Sequence, residues 1–213
     1  MIKMYIQTVP SRADMASKLK GESKKMSFIK DVEVVEDTKC ISPLYNFLCI
    51  CEKIKDSSES GLIMQDDCLW HKDADNALSD ILKGLEEKRV ISLFAPPRKG
   101  MVEAEAEGYN WGENYNHCWQ QCIVITCDIA RKILEFAQRS NEAKHDDVLL
   151  RDYLKSEGLP IYVTLPSIVQ HNVNVSSVAG NPRKIGNIGY RVTRNWSKNI
   201  KRRHFSKDKI CKI

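Results

Sequence analysis

Apolar runs with a two-residue period alternate along this chain with stretches whose apolar residues recur every third and fourth position. The first run, Ile2–Thr8, reads as a strand, and Pro10-Ser11-Arg12 closes it before a short helix over residues 13–20. A second strand, Val32-Glu33-Val34-Val35, runs out at Glu36-Asp37. Pro43 then suits the first turn of a helix, on which Leu44, Phe47, Leu48 and Cys51 fall at i, i+3, i+4 and i+7. A polar link over residues 55–60 leads into Gly61-Leu62-Ile63-Met64-Gln65, an apolar run that ends abruptly in Asp66-Asp67.

After Asp67 the helical period returns, with Leu78, Ile81, Leu82 and Leu85 on one stripe. Residues 90–94 form the next strand, stopped by Pro96-Pro97. Residues 98–120 break the pattern. They are rich in aromatic and amide side chains (Tyr109, Trp111, Asn114, Tyr115, Asn116, Trp119) and read as a long loop of the functional or mobile kind. Strand pattern resumes at Cys122-Ile123-Val124-Ile125-Thr126. Asp128 is placed to N-cap a helix reaching Arg139. A further helix covers residues 146–157, with Gly158 at its stop, and Ile161–Thr164 is the last strand. Strand and helix alternate with no internal repeat, which predicts an α/β three-layer sandwich around a mostly parallel sheet.

Composition narrows the class. The 213 residues suffice for one domain with a sizeable core, and hydrophobic residues make up 42% with a mean hydropathy of -0.41. No apolar run approaches the roughly 18 residues of a membrane span, and no secretory leader is visible, so the expected location is cytoplasmic, with no membrane partner. The eight cysteines are then expected to be reduced and mostly core-filling. His117, Cys118 and Cys122 lie close together, but paired Cys-x-x-Cys knuckles are missing, which argues against structural zinc. Neither Gly-x-Gly-x-x-Gly nor a Walker sequence occurs, which counts against a dinucleotide oxidoreductase and a P-loop kinase.

Three polar clusters follow strands or open helices. They are Gln65-Asp66-Asp67, His145-Asp146-Asp147, and the His171 that ends Pro166-Ser167-Ile168-Val169-Gln170-His171. Ligands bind at the carboxyl edge of open α/β sheets. Adjacent carboxylates delivered there repel and call for a shared cation or proton. Carboxylates and an imidazole suit a divalent ion such as Mn²⁺ or Mg²⁺, and a carboxylate at a helix start could take a proton from an acceptor hydroxyl. Taken singly, Asp146 and Asp147 also suit a helix N-terminus electrostatically, and His171 also suits a hydrogen-bonded core position.

In this order the clusters resemble those of GT-A-fold glycosyltransferases, whose Rossmann-like sheet carries an Asp-x-Asp-type motif at the end of a central strand and a later metal-binding His. The resemblance covers roughly residues 2–181 and departs from the family in one respect, since Asp66 and Asp67 are adjacent with no spacer. It implies Asp67 and His171 as metal ligands, with Gln65 and Asp66 at the donor sugar or ribose. It further implies Thr8, Pro10 and Arg12 in the loop facing the nucleotide, and Asp37 at the nucleoside. In inverting members the second acid opening the acceptor-side helix is the base, which falls on Asp147, with Asp146 beside it. The implied cofactors are Mn²⁺ or Mg²⁺ and a nucleotide-sugar donor, a UDP-sugar foremost.

Net charge is +5, and the excess is concentrated near the end, where residues 183–213 hold eleven basic residues against Asp208 alone. Residues 182–213 therefore stand apart as a basic C-terminal segment after a catalytic domain over 1–181. Arg191, Arg194, Lys201, Arg202 and Arg203, interleaved with Tyr190, Trp196, His204 and Phe205, suit a phosphate backbone with some stacking. A small transferase with such a segment resembles phage enzymes that glycosylate hydroxymethylated pyrimidines, so DNA is the expected acceptor. The alternatives are a transferase acting on a cell-surface glycan or protein, and a non-catalytic nucleic-acid-binding α/β module.

Overall fold

The computed structural model describes residues 1–83, 85–95, 99–116, 120–140, 145–172 and 210–212. The element order opens β1 (Ile2–Thr8), a 3-10 turn (Pro10–Arg12), α1 (Ala13–Ser23), β2 (Ile29–Glu36), α2 (Pro43–Lys55), β3 (Gly61–Gln65) and β4 (Cys68–Trp70). It continues α3 (Ala74–Lys83), α4 (Leu85–Lys88), β5 (Val90–Ser92), α5 (Lys99–Ala106), β6 (Trp111–Asn114) and β7 (Cys122–Ile125). The last elements are α6 (Cys127–Arg139), α7 (Asp146–Ser156), β8 (Ile161–Thr164), β9 (Val169–His171) and β10 (Ile210–Lys212).

Eight strands form one sheet in the order β10-β6-β8-β5-β7-β3-β1-β2. Pairings β1–β2, β1–β3, β5–β8 and β6–β10 are parallel, while β3–β7, β5–β7 and β6–β8 are antiparallel. The expected α/β sandwich is present, with helices on both faces.

Strand alternation explains the two layers. Met4, Ile6, Leu62, Met64, Ile91, Cys122 and Val124 face one core shared with α1 and α3. Their neighbours Tyr5, Ile63, Val90, Ile123, Ile125, Ile161 and Val163 face the other, shared with α2, α5, α6 and α7. A sheet buried on both faces must read as continuous apolar runs, and β3 and β7 do. Helix α2 starts as its sequence demands: Pro43 occupies the first turn, and Ser42 Oγ accepts from Tyr45 N at 3.0 Å. In α6 the N-cap is Thr126, whose Oγ1 accepts from Ile129 N. Asp128, expected in that role, lies inside the first turn.

Gly61 begins β3 directly under α2, and a Cβ there would run into Ile54 and press on Tyr5 at 3.3 Å. Both neighbours are packed in the core. Gly61→Ala should therefore cost about 1–3 kcal/mol through overpacking, read as a fall of several degrees in the thermal unfolding midpoint. An unchanged midpoint would mean α2 can slide off β3 freely.

Three short features depart from expectation. The stretch read as one long loop contains α5 and β6, of which β6 owes its form to pairing with β8, Trp111 to Thr164 and Asn114 to Ile161. Asp67 is followed by β4 rather than directly by a helix, and residues 169–171 pair with it as an antiparallel ribbon: Cys68 with His171, Leu69 with Gln170, Trp70 with Val169. The chain's last described residues, Ile210–Lys212, pair with β6 at the sheet edge. No helix among the described residues is long and apolar enough to cross a membrane.

Candidate active site

The carboxyl ends of β1 and β3 lie side by side, with Gln7 paired to Gln65, so the residues just beyond them meet. Asp66 N donates to Gln7 O at 3.1 Å, and Gln65 N donates to Gln121 O at 2.9 Å. These backbone bonds fix Asp66 and Asp67 between β1 and β7, where both are buried, at 5% and 3% exposure.

Buried carboxylates need partners. Thr8 Oγ1 donates to Asp66 Oδ2 at 2.6 Å. Arg12, whose side chain is 10% exposed, bridges the pair, with Nη1 at 2.8 Å from Asp66 Oδ1 and 3.2 Å from Asp67 Oδ2. Burial pushes the Asp66 carboxyl above its ordinary pKa, and the Thr8 and Arg12 contacts offset this only in part. Pro10 opens the 3-10 turn that carries Arg12 and is itself exposed.

The β4–β9 ribbon brings in His171 from far along the chain. Its Nε2 lies 3.1 Å from Asp67 Oδ2, and Asn172 N donates to Asp67 O at 2.7 Å. Ser167 holds the base of the ribbon, its Oγ donating toward Val169 O at 2.6 Å and Leu93 O at 3.2 Å and accepting from Ala95 N. The sequence-derived residues Thr8, Arg12, Asp66, Asp67 and His171 are thus brought together. Gln65, half-buried at the end of β3, joins them through its backbone.

Asp37 follows β2 and lies at the same edge, its N donating to Thr8 O at 3.0 Å and its Oδ2 accepting from Ser42 N at 3.0 Å. Two residues not singled out from sequence complete this corner. Asn46 Nδ2, on α2, donates to Thr8 O and Val35 O, tying the ends of β1 and β2 to the helix. Gln7 Nε2 donates to Pro43 O at 2.8 Å and, more weakly, to Asp146 Oδ2 at 3.4 Å. The signal for both was a polar residue in an apolar register: Gln7 lies two positions after Tyr5, and Asn46 four before Ile50. Asp37 Oδ1, Asn46 Oδ1 and Gln7 Oε1 are buried and accept no hydrogen bond among the described residues. Each unmet buried acceptor costs about 1–3 kcal/mol, so this corner has a use for a ligand rich in O–H and N–H donors.

The two acids opening α7 divide in environment. Asp146 is 6% exposed, with Oδ1 accepting from Asp147 N at 3.0 Å and Oδ2 facing Gln7. Asp147 is half-buried, and its Oδ1 accepts from Val148 N at 2.8 Å. Burial raises both pKa values above the ordinary carboxylate range, and repulsion between the neighbours adds to the rise at Asp146.

Among the described residues no three His, Cys, Asp or Glu side chains converge closely enough to hold a metal by themselves. Cys122 is packed in the core of β7, and His117 and Cys118 lie outside the described residues. So do Trp119 and the basic residues Arg191, Arg194, Lys201, Arg202 and Arg203.

No protein-family model matches this chain, and no curated protein does. Among the solved structures that resemble its course are these two. One is a glycosyltransferase involved in the glycosylation of the major capsid of PBCV-1, at 11% identity and a TM-score of 0.48, covering 81% of this chain and 94% of the other. The second is apo UDP-glucose pyrophosphorylase, at 12% identity and a TM-score of 0.42, covering 76% and 72%. Likeness at this level says nothing of what this chain binds.

Proposed function

We propose that the protein is a nucleotide-sugar-dependent glycosyltransferase whose donor lies across the carboxyl ends of β1, β2 and β3. The observation that carries this reading is the meeting at one sheet edge of a paired-carboxylate and imidazole cluster with unmet hydrogen-bond acceptors. The Asp37, Asn46 and Gln7 acceptors suit the ribose hydroxyls and base N–H of a nucleoside. A UDP-sugar is the donor favoured by the family resemblance.

The donor set fits a divalent ion in part. Two ligands about 2.1–2.2 Å from one ion at right angles stand about 3 Å apart, and Asp67 Oδ2 and His171 Nε2 are 3.1 Å apart. These two residues would hold Mn²⁺ or Mg²⁺, with the remaining positions left to phosphate oxygens and water. A bound ion would supply charge neutralisation for the departing diphosphate, an effect worth several kcal/mol as an order of magnitude.

Asp147 serves as the base in this scheme. Asp146 has both oxygens engaged and holds the helix start against β1, whereas Asp147 is only half-buried and accepts through Oδ1 from the helix backbone. Burial raises its proton affinity above that of an ordinary carboxylate, which favours its accepting a proton. The acceptor O–H proton passes to Asp147 Oδ2, and the acceptor oxygen forms a bond to the anomeric carbon. The bond from that carbon to the phosphate oxygen breaks, and its electron pair leaves with the nucleoside diphosphate. Thr8 and Asp66 brace the cluster from beneath.

For the acceptor, the basic excess over residues 183–213 supports DNA bearing hydroxymethylated pyrimidines. Mn²⁺, a panel of nucleotide sugars, and hydroxymethylpyrimidine DNA beside plain DNA test both levels. Thermal stabilisation and turnover by one nucleotide sugar are expected, with mass gain on the modified DNA. Stabilisation by none sinks the transferase reading, and transfer to an oligosaccharide or peptide alone sinks the DNA reading. At the nucleoside, Asp37→Ala should weaken nucleotide binding by roughly tenfold, the worth of one hydrogen bond to a charged group. Unchanged affinity in a calorimetric titration would remove Asp37 from the site.

A further inference from the structure

The acid pair already holds a cation, and that cation belongs to the chain. Arg12 Nη1 touches Asp67 Oδ2, the same oxygen that stands 3.1 Å from His171 Nε2. An ion held between Asp67 Oδ2 and His171 Nε2 would share that oxygen with a guanidinium. It would meet a like charge across a single carboxylate oxygen, in a corner where Asp66 and Asp67 are both buried. Asp66 offers no relief, because its two oxygens are taken by Thr8 and by the same Arg12 nitrogen.

The mounting of Arg12 permits an exchange. It ends a three-residue 3-10 turn with no buried residue and no side-chain cap, outside the strand that carries Thr8. A guanidinium is weakly hydrated and matches a phosphate as well as it matches a carboxylate, often through two parallel hydrogen bonds. A diphosphate arriving at this edge offers Arg12 an alternative partner, just as it offers a metal ion its missing ligands.

We propose that Arg12 is the resident counter-ion of Asp66 and Asp67 and keeps divalent ions out until a nucleoside diphosphate draws it away. Guanidinium and metal then trade places, carboxylates for phosphates. This couples metal entry to donor entry, and it rests on the transferase reading only for the identity of the phosphate ligand.

Mn²⁺ binding to the protein, followed by electron paramagnetic resonance of the free ion, tests the exchange without any turnover. Without nucleotide, R12Q should bind Mn²⁺ about tenfold more tightly than the wild type or better, the size of effect a neighbouring charge has on a buried site. The gain should vanish in R12Q/D67N. Adding UDP should tighten Mn²⁺ binding in the wild type and do so much less in R12Q. Equal or weaker binding by R12Q overturns the proposal. Tighter binding by R12Q with no response of the wild type to any nucleoside diphosphate overturns the exchange and places the failure in the donor reading. R12K keeps the charge but not the fork, and provides the comparison should R12Q not fold. It should still hold Mn²⁺ off without nucleotide, and UDP should tighten its Mn²⁺ binding less than the wild type's; a UDP response equal to wild type counts against the exchange.

Discussion

Asp67→Asn should lower kcat for sugar transfer by about a thousandfold, the several kcal/mol that an ion contributes at a leaving diphosphate. The substitution changes shape hardly at all. Asn keeps an oxygen that can face His171, and Arg12 keeps its 2.8 Å contact to Asp66. It leaves one carboxylate for one guanidinium, which is a balanced buried pair, so the fold should survive. Circular dichroism and a melting curve alongside the kinetics separate lost chemistry from lost structure. A folded D67N enzyme within tenfold of wild type would take Asp67 out of the reaction. The non-catalytic binding-module reading predicts no effect on any activity.

Asp147→Asn should lower kcat by about 10²–10⁴-fold, the usual worth of a positioned general base. The pH profile is the sharper readout. A base works only when deprotonated, and burial holds Asp147's proton to higher pH than an ordinary carboxylate. The rate in the wild type should therefore rise with pH through that elevated pKa, placing the acid limb above the roughly pH 4 of an exposed Asp. D147N should lose that limb and show a low rate independent of pH in this range. An intact limb in D147N assigns the proton to another group. Asp146→Asn provides the contrast, since a group that positions the helix should slow the reaction without abolishing the limb. The anomeric configuration of the product, read by NMR, checks the mechanism separately, because a retaining reaction passes the acceptor's proton to a group other than Asp147.

Much of the scaffold was legible because its periodicity is imposed by burial. β1, β3 and β7 are apolar runs, and α2 and α6 carry regular stripes, so their side chains report their surroundings. The missed elements lack that signal. β4 (Cys-Leu-Trp), β9 (Val-Gln-His), β6 (Trp-Gly-Glu-Asn) and β10 (Ile-Cys-Lys) are short and chemically mixed, and their extended form comes from the strand alongside. The same physics governs the site. Asp66 and Asp67 were visible as charges interrupting an apolar run, and His171 as a polar ending. That Arg12 would bridge the acids depends on where a 3-10 turn aims a long side chain, which no local pattern encodes. Gln7 and Asn46 stood out only as polar residues in an apolar register, and their burial among strand ends shows that they fix the corner.

The ribbon of β4 and β9 also orders the site in time. Asp67 emerges from the ribosome early, and the parallel core of β1, β2 and β3 can form around it while most of the chain is still unmade. His171 arrives only after β8 has been laid into the sheet, and its pairing with Cys68 closes the cluster. Until that pairing is made, Arg12 is a cation already within reach of both acids, from a turn only about fifty residues upstream of them.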